Sequence, residues 1–184
     1  MYTWNELDNF IRSCSRCPLC HSRLQAVTGR GNRQAKLMFV AEAPGANEDK
    51  AGIPFVGPAG KVFDRLLADS GLTWDDIYMT NILKCHPPGN RDPLPAEKEQ
   101  CLPYLRYETV LIHPKILVCL GRVAAQQIIS ADFRITRQHG TWTDRMGYSM
   151  TAVYHPSALL RDPAKMEETR RDFRHIAERL KQIT

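Results

Sequence analysis

Two groups of residues in this sequence have the types and spacing to do chemistry. Cys14, Cys17 and Cys20 fall within "CSRCPLC", while Cys85 and Cys101 lie far downstream. Two thiolates separated by two residues on a turn can grip one metal centre, and two more can arrive from distant loops. Cys14, Cys17, Cys85 and Cys101 form such a set, suited to zinc or to an iron–sulfur cluster. A set of unrelated buried thiols is the alternative, because Cys is among the most buried residue types. Cys17 and Cys20 repeat the same spacing, which leaves Cys20 as a competitor. Cys119 sits inside "KILVCLG", where a small buried apolar residue is expected.

The second group begins in "MFVAEAPGANEDKAGIPFVGPAG", residues 38–60, which runs from an apolar stretch into a loop rich in glycine and proline. Glu42 and Phe55 stand out there, and loops carry binding and catalytic groups because a rigid scaffold can position them without burying them. Phe55 could also be a core aromatic, but Pro54 and Gly57 beside it favour a loop. Glu48 and Asp49 resemble a metal pair only superficially. No further carboxylate or His lies at ligand spacing, so a helix cap or a loop tether is expected of them. Asn81 ends a strand-like run, where Asn is unusual, and a buried amide must find partners. His155 precedes "PS" at another apparent strand end.

Alternating strands and helices must hold these residues. "KLMFVAE", "DIYMTNILK", "KILVCLG" and "SMTAVYHPS" read as four strands. Helices are expected over residues 2–12, 58–70, 95–112 and 122–130, and along the charged tail from Pro163. This order implies right-handed crossovers and a three-layer α/β/α sandwich around a central, mainly parallel four-stranded sheet. Functional loops then lie beyond the carboxyl ends of the strands. "AEAPG", "NILKCHPPGNR" and "HPS" occupy that position and are expected to converge on one crevice.

With 184 residues, the chain suits a single domain over residues 1–184. No apolar run approaches the roughly 20 residues that span a bilayer, and the N-terminus has no export signal. A cytoplasmic location is expected, where thiols stay reduced. A net charge of +5 permits a polyanionic partner without demanding one.

"AEAPGANEDKAGIPFVGPAG", "NILKCHPPGNRDP" followed by Cys101, and "HPSALLR" resemble, in order and spacing, the family 4 uracil-DNA glycosylases, a group related to phage-type DNA-polymerase proteins. The likeness runs from "CSRCPL" to the final helix. It implies a [4Fe–4S] cluster on Cys14, Cys17, Cys85 and Cys101, with Cys20 an extra. The first motif usually opens with Gly where Ala41 stands here, a methyl group that would narrow the pocket. The Arg/Lys-rich, His-containing insertion of relatives that link covalently to DNA is missing from "HPPGNRDPLP", which favours a turnover enzyme.

The resemblance assigns roles. Uracil must be flipped from the duplex and read by its pairing edge. Phe55 would be the floor for the ring, worth ~1–3 kcal/mol of stacking. The Asn81 amide would accept from N3–H and donate to O4, a pattern that cytosine reverses. Glu42 would orient water and stabilise the sugar cation. His155 would donate to O2 of the leaving base, and the backbone around Ala41, Ala43 and Gly45 would approach the uracil oxygens. "SALLRDP" would enter the duplex, with Leu159 or Leu160 as wedge and Ser157 and Arg161 at phosphate. No lysine in the three motifs is placed as a Schiff-base nucleophile, so a monofunctional glycosylase acting as a monomer on single- or double-stranded uracil-containing DNA is expected. Two rivals remain: a uracil-recognising or DNA-binding protein with little turnover, and an iron–sulfur electron carrier.

Overall fold

The computed structural model describes residues 2–183. Its strands are β1 (Arg30–Gly31), β2 (Leu37–Ala41), β3 (Ile77–Asn81), β4 (Ile116–Leu120), β5 (Thr143–Arg145) and β6 (Tyr148–Val153). They form one sheet in the order β1-β3-β2-β4-β6-β5. The inner four are parallel and correspond to the four expected strands. The sheet has six strands rather than four because β1 and β5 pair antiparallel on its edges. These two are only two and three residues long, and β5 is exposed throughout, so neither leaves an apolar alternation to read.

Among the described residues eight α-helices surround the sheet: α1 (Trp4–Arg12), α2 (Ala46–Ala51), α3 (Pro58–Ser70), α4 (Pro95–Ile112), α5 (Arg122–Ile128), α6 (Ile135–Gln138), α7 (Pro156–Arg161) and α8 (Met166–Ile183). Local signals set their ends. Thr3 and Glu6 close a capping box on α1. Pro opens α3, and Gly71, at φ 74°, ends it in the left-handed conformation. The tail helix begins at Met166, after a single 3-10 turn over Pro163–Lys165.

Alternation along the inner strands divides the core. Leu37, Phe39 and Ala41 of β2 face α3, α7 and α8, where they meet Phe63, Leu66, Leu159 and Phe173. Met38 and Val40 face the other way, toward Leu105, Ala124 and Ile129 of the α4 and α5 layer. Phe39 stacks on Phe173 at 5.6 Å and meets Phe63 edge-on at 5.2 Å. Truncating one such aromatic to Ala costs about 3–5 kcal/mol. α1 and the cysteine segment form a satellite cluster with Leu83 and Tyr104. No helix among the described residues is long and apolar enough to cross a membrane.

Register decides what meets at the strand ends. Ala41 lies opposite Asn81, and Leu120 lies opposite Val153. All four parallel strands therefore stop at one edge, and the segments after them share one crevice.

Candidate active site

A cavity of about 670 Å³ opens at that edge. Glu42, Phe55, Asn81 and His155 all line it, although they come from separate stretches of chain. Ala43, Gly45, Ser157, Leu160 and Arg161 line it as well. Two expected residues do not. Ala41 is fully buried in the core beneath the cavity, because strand alternation turns its methyl group toward the α3 layer. Its methyl group therefore does not narrow the pocket. Leu159 is 2% exposed and packed in the same core, whereas Leu160 is 51% exposed. Consecutive positions on α7 are turned about 100° from each other around the helix, and Leu160 is the one of the two that reaches the surface.

Glu42 follows the last residue of β2, and its carbonyl accepts from Leu83 N at 3.0 Å, which locks the first loop to the second. Burial raises its carboxyl pKa, and Asp92 adds to the rise. Arg122 and Lys98 pull it back down. Such a carboxylate is costly to ionise but stays basic enough to hold a water.

Phe55 has a left-handed backbone, φ 58°, and its ring is 7% exposed, against Phe63 at 5.2 Å and His155 at 5.7 Å. It belongs to the core and to the cavity wall at once. A non-glycine residue at positive φ is held there by its surroundings, and two of them are visible. Glu48 accepts from Val56 N at 3.0 Å and from Gly57 N at 2.8 Å. Gly60 lets α3 approach: a Cβ there would stand 2.0 Å from the Phe55 carbonyl oxygen. Asp49 tethers the same loop from its other side, accepting from Leu24 N at 3.0 Å and Gln25 N at 3.4 Å. Both carboxylates are loop tethers.

His155 caps the start of α7. Ser157 N donates to its Nδ1 at 3.1 Å, and the Ser157 hydroxyl lies 2.7 Å from the same nitrogen. Burial, reinforced by the charge of Arg161, pushes the imidazole pKa down to about 4. The ring is neutral at physiological pH, and with Nδ1 accepting, its proton sits on Nε2. Gly121, at φ 87°, makes room for it, since a Cβ there would lie 3.0 Å from the His155 Cβ. Asn81 is 2% exposed, and its Oδ1 has no hydrogen-bond partner among the described residues.

Asn90 and Arg91, in the second expected segment, line the cavity without having been given a role, and Asp92, Arg122 and Lys165 line it from outside the expected segments. Arg122 and Asp92 form an ion pair at 2.8 Å. Lys165 Nζ lies 3.1 Å from Asp162 and 5.1 Å over the Tyr154 ring. The usable signal for Arg122 was its place just after β4, since a crevice at strand ends takes in the fourth loop as readily as the other three.

Cys14, Cys17, Cys20, Cys85 and Cys101 line a second, small cavity between the N-terminal turn, the segment after β3 and α4. Cys119 stays apart inside β4, as expected. Arg23 Nη1 lies 3.0 Å from Cys85 Sγ, and Lys84 N lies 3.2 Å from Cys101 Sγ. Burial pushes the thiols of Cys17 and Cys85 up, and that of Cys101 to about 12. Among the described residues no three His, Cys, Asp or Glu side chains converge closely enough to hold a single metal ion.

A family model described as the uracil DNA glycosylase superfamily matches residues 28–181. The chain is 44% identical to a type-4 uracil-DNA glycosylase of Archaeoglobus fulgidus, across 94% of this chain and 92% of that protein. It is 38% identical to a type-4 uracil-DNA glycosylase of Saccharolobus solfataricus, across 92% of this chain and 83% of that one. A type-5 uracil-DNA glycosylase of Pyrobaculum aerophilum is more distant, at 29% identity across 85% of this chain and 65% of that protein.

Proposed function

Because the chain belongs to the type-4 uracil-DNA glycosylases of the uracil DNA glycosylase superfamily, we propose that it hydrolyses the N-glycosidic bond of uracil in DNA and leaves an abasic site for base excision repair. The observation that carries this is the shared cavity of Glu42, Phe55, Asn81 and His155.

The flipped uracil stacks on Phe55, and the Asn81 amide reads N3–H and O4, which leaves cytosine mismatched. As the bond between N1 and C1′ breaks, its electron pair leaves with the base and charge gathers on O2. His155 Nε2–H donates to that oxygen, and a preorganised donor of this kind is worth ~3–4 kcal/mol. Backbone amides around Ala43 and Gly45 reach the other uracil oxygens. Glu42 stabilises the developing sugar cation and orients a water, whose oxygen bonds to C1′ while a proton passes to the carboxylate. Leu160 fills the gap in the duplex, and Ser157 and Arg161 meet the phosphates. The lysines nearby suit hydrolysis rather than a Schiff base: the ammonium of Lys84 is buried against Glu108, and that of Lys165 is engaged by Asp162. The enzyme acts on single- or double-stranded uracil-containing DNA, as a monomer.

Cys14, Cys17, Cys85 and Cys101 would hold a [4Fe–4S] cluster. The donor set supports this: these four thiols open on one cavity, which Cys20 also lines, with N–H donors from Arg23 and Lys84 on two of the sulfurs. Ligands to a cluster surround it, so they need not converge as ligands to a lone ion do. When bound, the cluster supplies a brace joining the N-terminal turn, the segment after β3 and α4.

An end-labelled oligonucleotide with one uracil tests the function. Alkali-labile cleavage at the uracil, and none at thymine in its place, is expected. Binding without a labile site at stoichiometric protein would sink the hydrolytic reading and favour a recognition module.

A further inference from the structure

Lys84 is the only buried lysine among the described residues. Its ammonium donates to Thr80 Oγ1 at 2.5 Å, to Glu108 Oε2 at 2.6 Å and to the Asn81 carbonyl at 2.9 Å. Glu108 also accepts from Tyr78 OH at 3.2 Å and Thr80 Oγ1 at 3.0 Å. The main chain of Lys84 is held too: its N–H meets Cys101 Sγ, and its carbonyl accepts from Val27 N at 2.7 Å. Stability is a weak reason for this arrangement, because an apolar pair can often replace a buried ion pair at no loss.

Asn81 supplies a better reason. A side-chain amide is usually oriented by hydrogen bonds to its own atoms, yet Asn81 Oδ1 is buried and unbonded. A protein donor on that oxygen would fix the amide and at the same time use up the acceptor that a base needs. The constraint has to enter through the backbone. On one side β2 supplies it, with Ala41 opposite Asn81. On the other, the ammonium of Lys84 grips the Asn81 carbonyl, and Glu108 anchors that ammonium to α4.

We propose that Lys84, anchored by Glu108, is the positioning residue for Asn81: it fixes the Asn81 backbone at the cavity wall without occupying the side-chain amide. The inference rests on the reading of Asn81 as the residue that recognises uracil.

Removing Lys84 alone would leave Glu108 buried and unpaired, so the test changes both residues, as Lys84→Met/Glu108→Gln. The expected result is a folded protein that binds a duplex with a tetrahydrofuran abasic analogue as wild type does. Its single-turnover uracil release should fall about 10- to 100-fold, the scale of a misplacement near 1 Å. On an Asn81→Ala background the same pair of changes should cost no more than about twofold further, because the two act through one group. A smaller loss in the first case, or a larger one in the second, overturns the inference. If the double change does not fold, Glu108→Gln alone decides. It keeps an acceptor for Lys84 while removing the charge, and its loss must again vanish when Asn81 is Ala; an equal loss in both backgrounds overturns the inference. Wild-type release by Asn81→Ala itself would refute a different statement, that Asn81 reads the base, and would remove the premise.

Discussion

Ser157 donates its backbone N–H to Nδ1 of His155 at 3.1 Å, and that contact makes Nδ1 the accepting nitrogen of the ring. The serine sits two residues into α7, so its amide is one of the N–H groups that a helix start leaves without an intrahelical partner. The imidazole takes that amide and keeps its own proton on Nε2.

His155→Ala should lower single-turnover uracil release by about 10²–10³-fold, the usual loss when one preorganised donor is removed. Ser157→Ala keeps the backbone N–H and should cost far less. Equal losses for the two variants would show that the hydroxyl, not the amide, sets the tautomer.

The pH dependence should be governed by Glu42. Burial raises its carboxyl pKa above the usual range, so the group takes up its proton, and the rate is lost, at a higher pH than an exposed glutamate would dictate. The His155 pKa, pushed down to about 4, lies below the raised pKa of Glu42, so the carboxyl takes up its proton first. Asp92→Asn removes a nearby negative charge and should move the limb to lower pH, whereas Arg122→Ala should move it higher. A profile of kcat/KM against pH reads both shifts, and a limb unchanged in Glu42→Gln would assign it to another group.

The two leucines of α7 should separate cleanly. Leu159→Ala opens a cavity in the core and should destabilise by about 2–5 kcal/mol. Leu160→Ala should leave the melting temperature unchanged but slow excision from duplex DNA more than from single strands, since a single strand has no gap to fill. Loss of duplex activity in proportion to stability for both variants would remove the wedge.

Iron content should follow the cysteine set. Ser at Cys14, Cys17, Cys85 or Cys101 should each reduce bound iron and visible absorbance, while Cys119→Ser and Cys20→Ser should keep both. Cys20 and Cys17 line the same cavity, so a loss of iron in Cys20→Ser with retention in Cys17→Ser would exchange the two.

Much of this was legible from residue types alone. The four inner strands, the bounds of α3 and α4, and the strand-end placing of Glu42, Asn81 and His155 follow from apolar runs punctuated by Pro, Gly and polar residues, all local signals. The sequence also pointed to Glu48 and Asp49 as loop tethers, and both accept backbone N–H groups of the loops beside them. Tertiary structure decided the rest. Ala41 and Leu159 turned inward because strand and helix geometry, not composition, sets which way a side chain points. The edge strands β1 and β5 exist only through pairing with β3 and β6. Arg122 reached the cavity, and Lys84 reached Glu108, through contacts that no spacing encodes. Chain order names the groups that can do chemistry; only the packed sheet brings distant strand ends within hydrogen-bonding distance and leaves one amide oxygen without a partner.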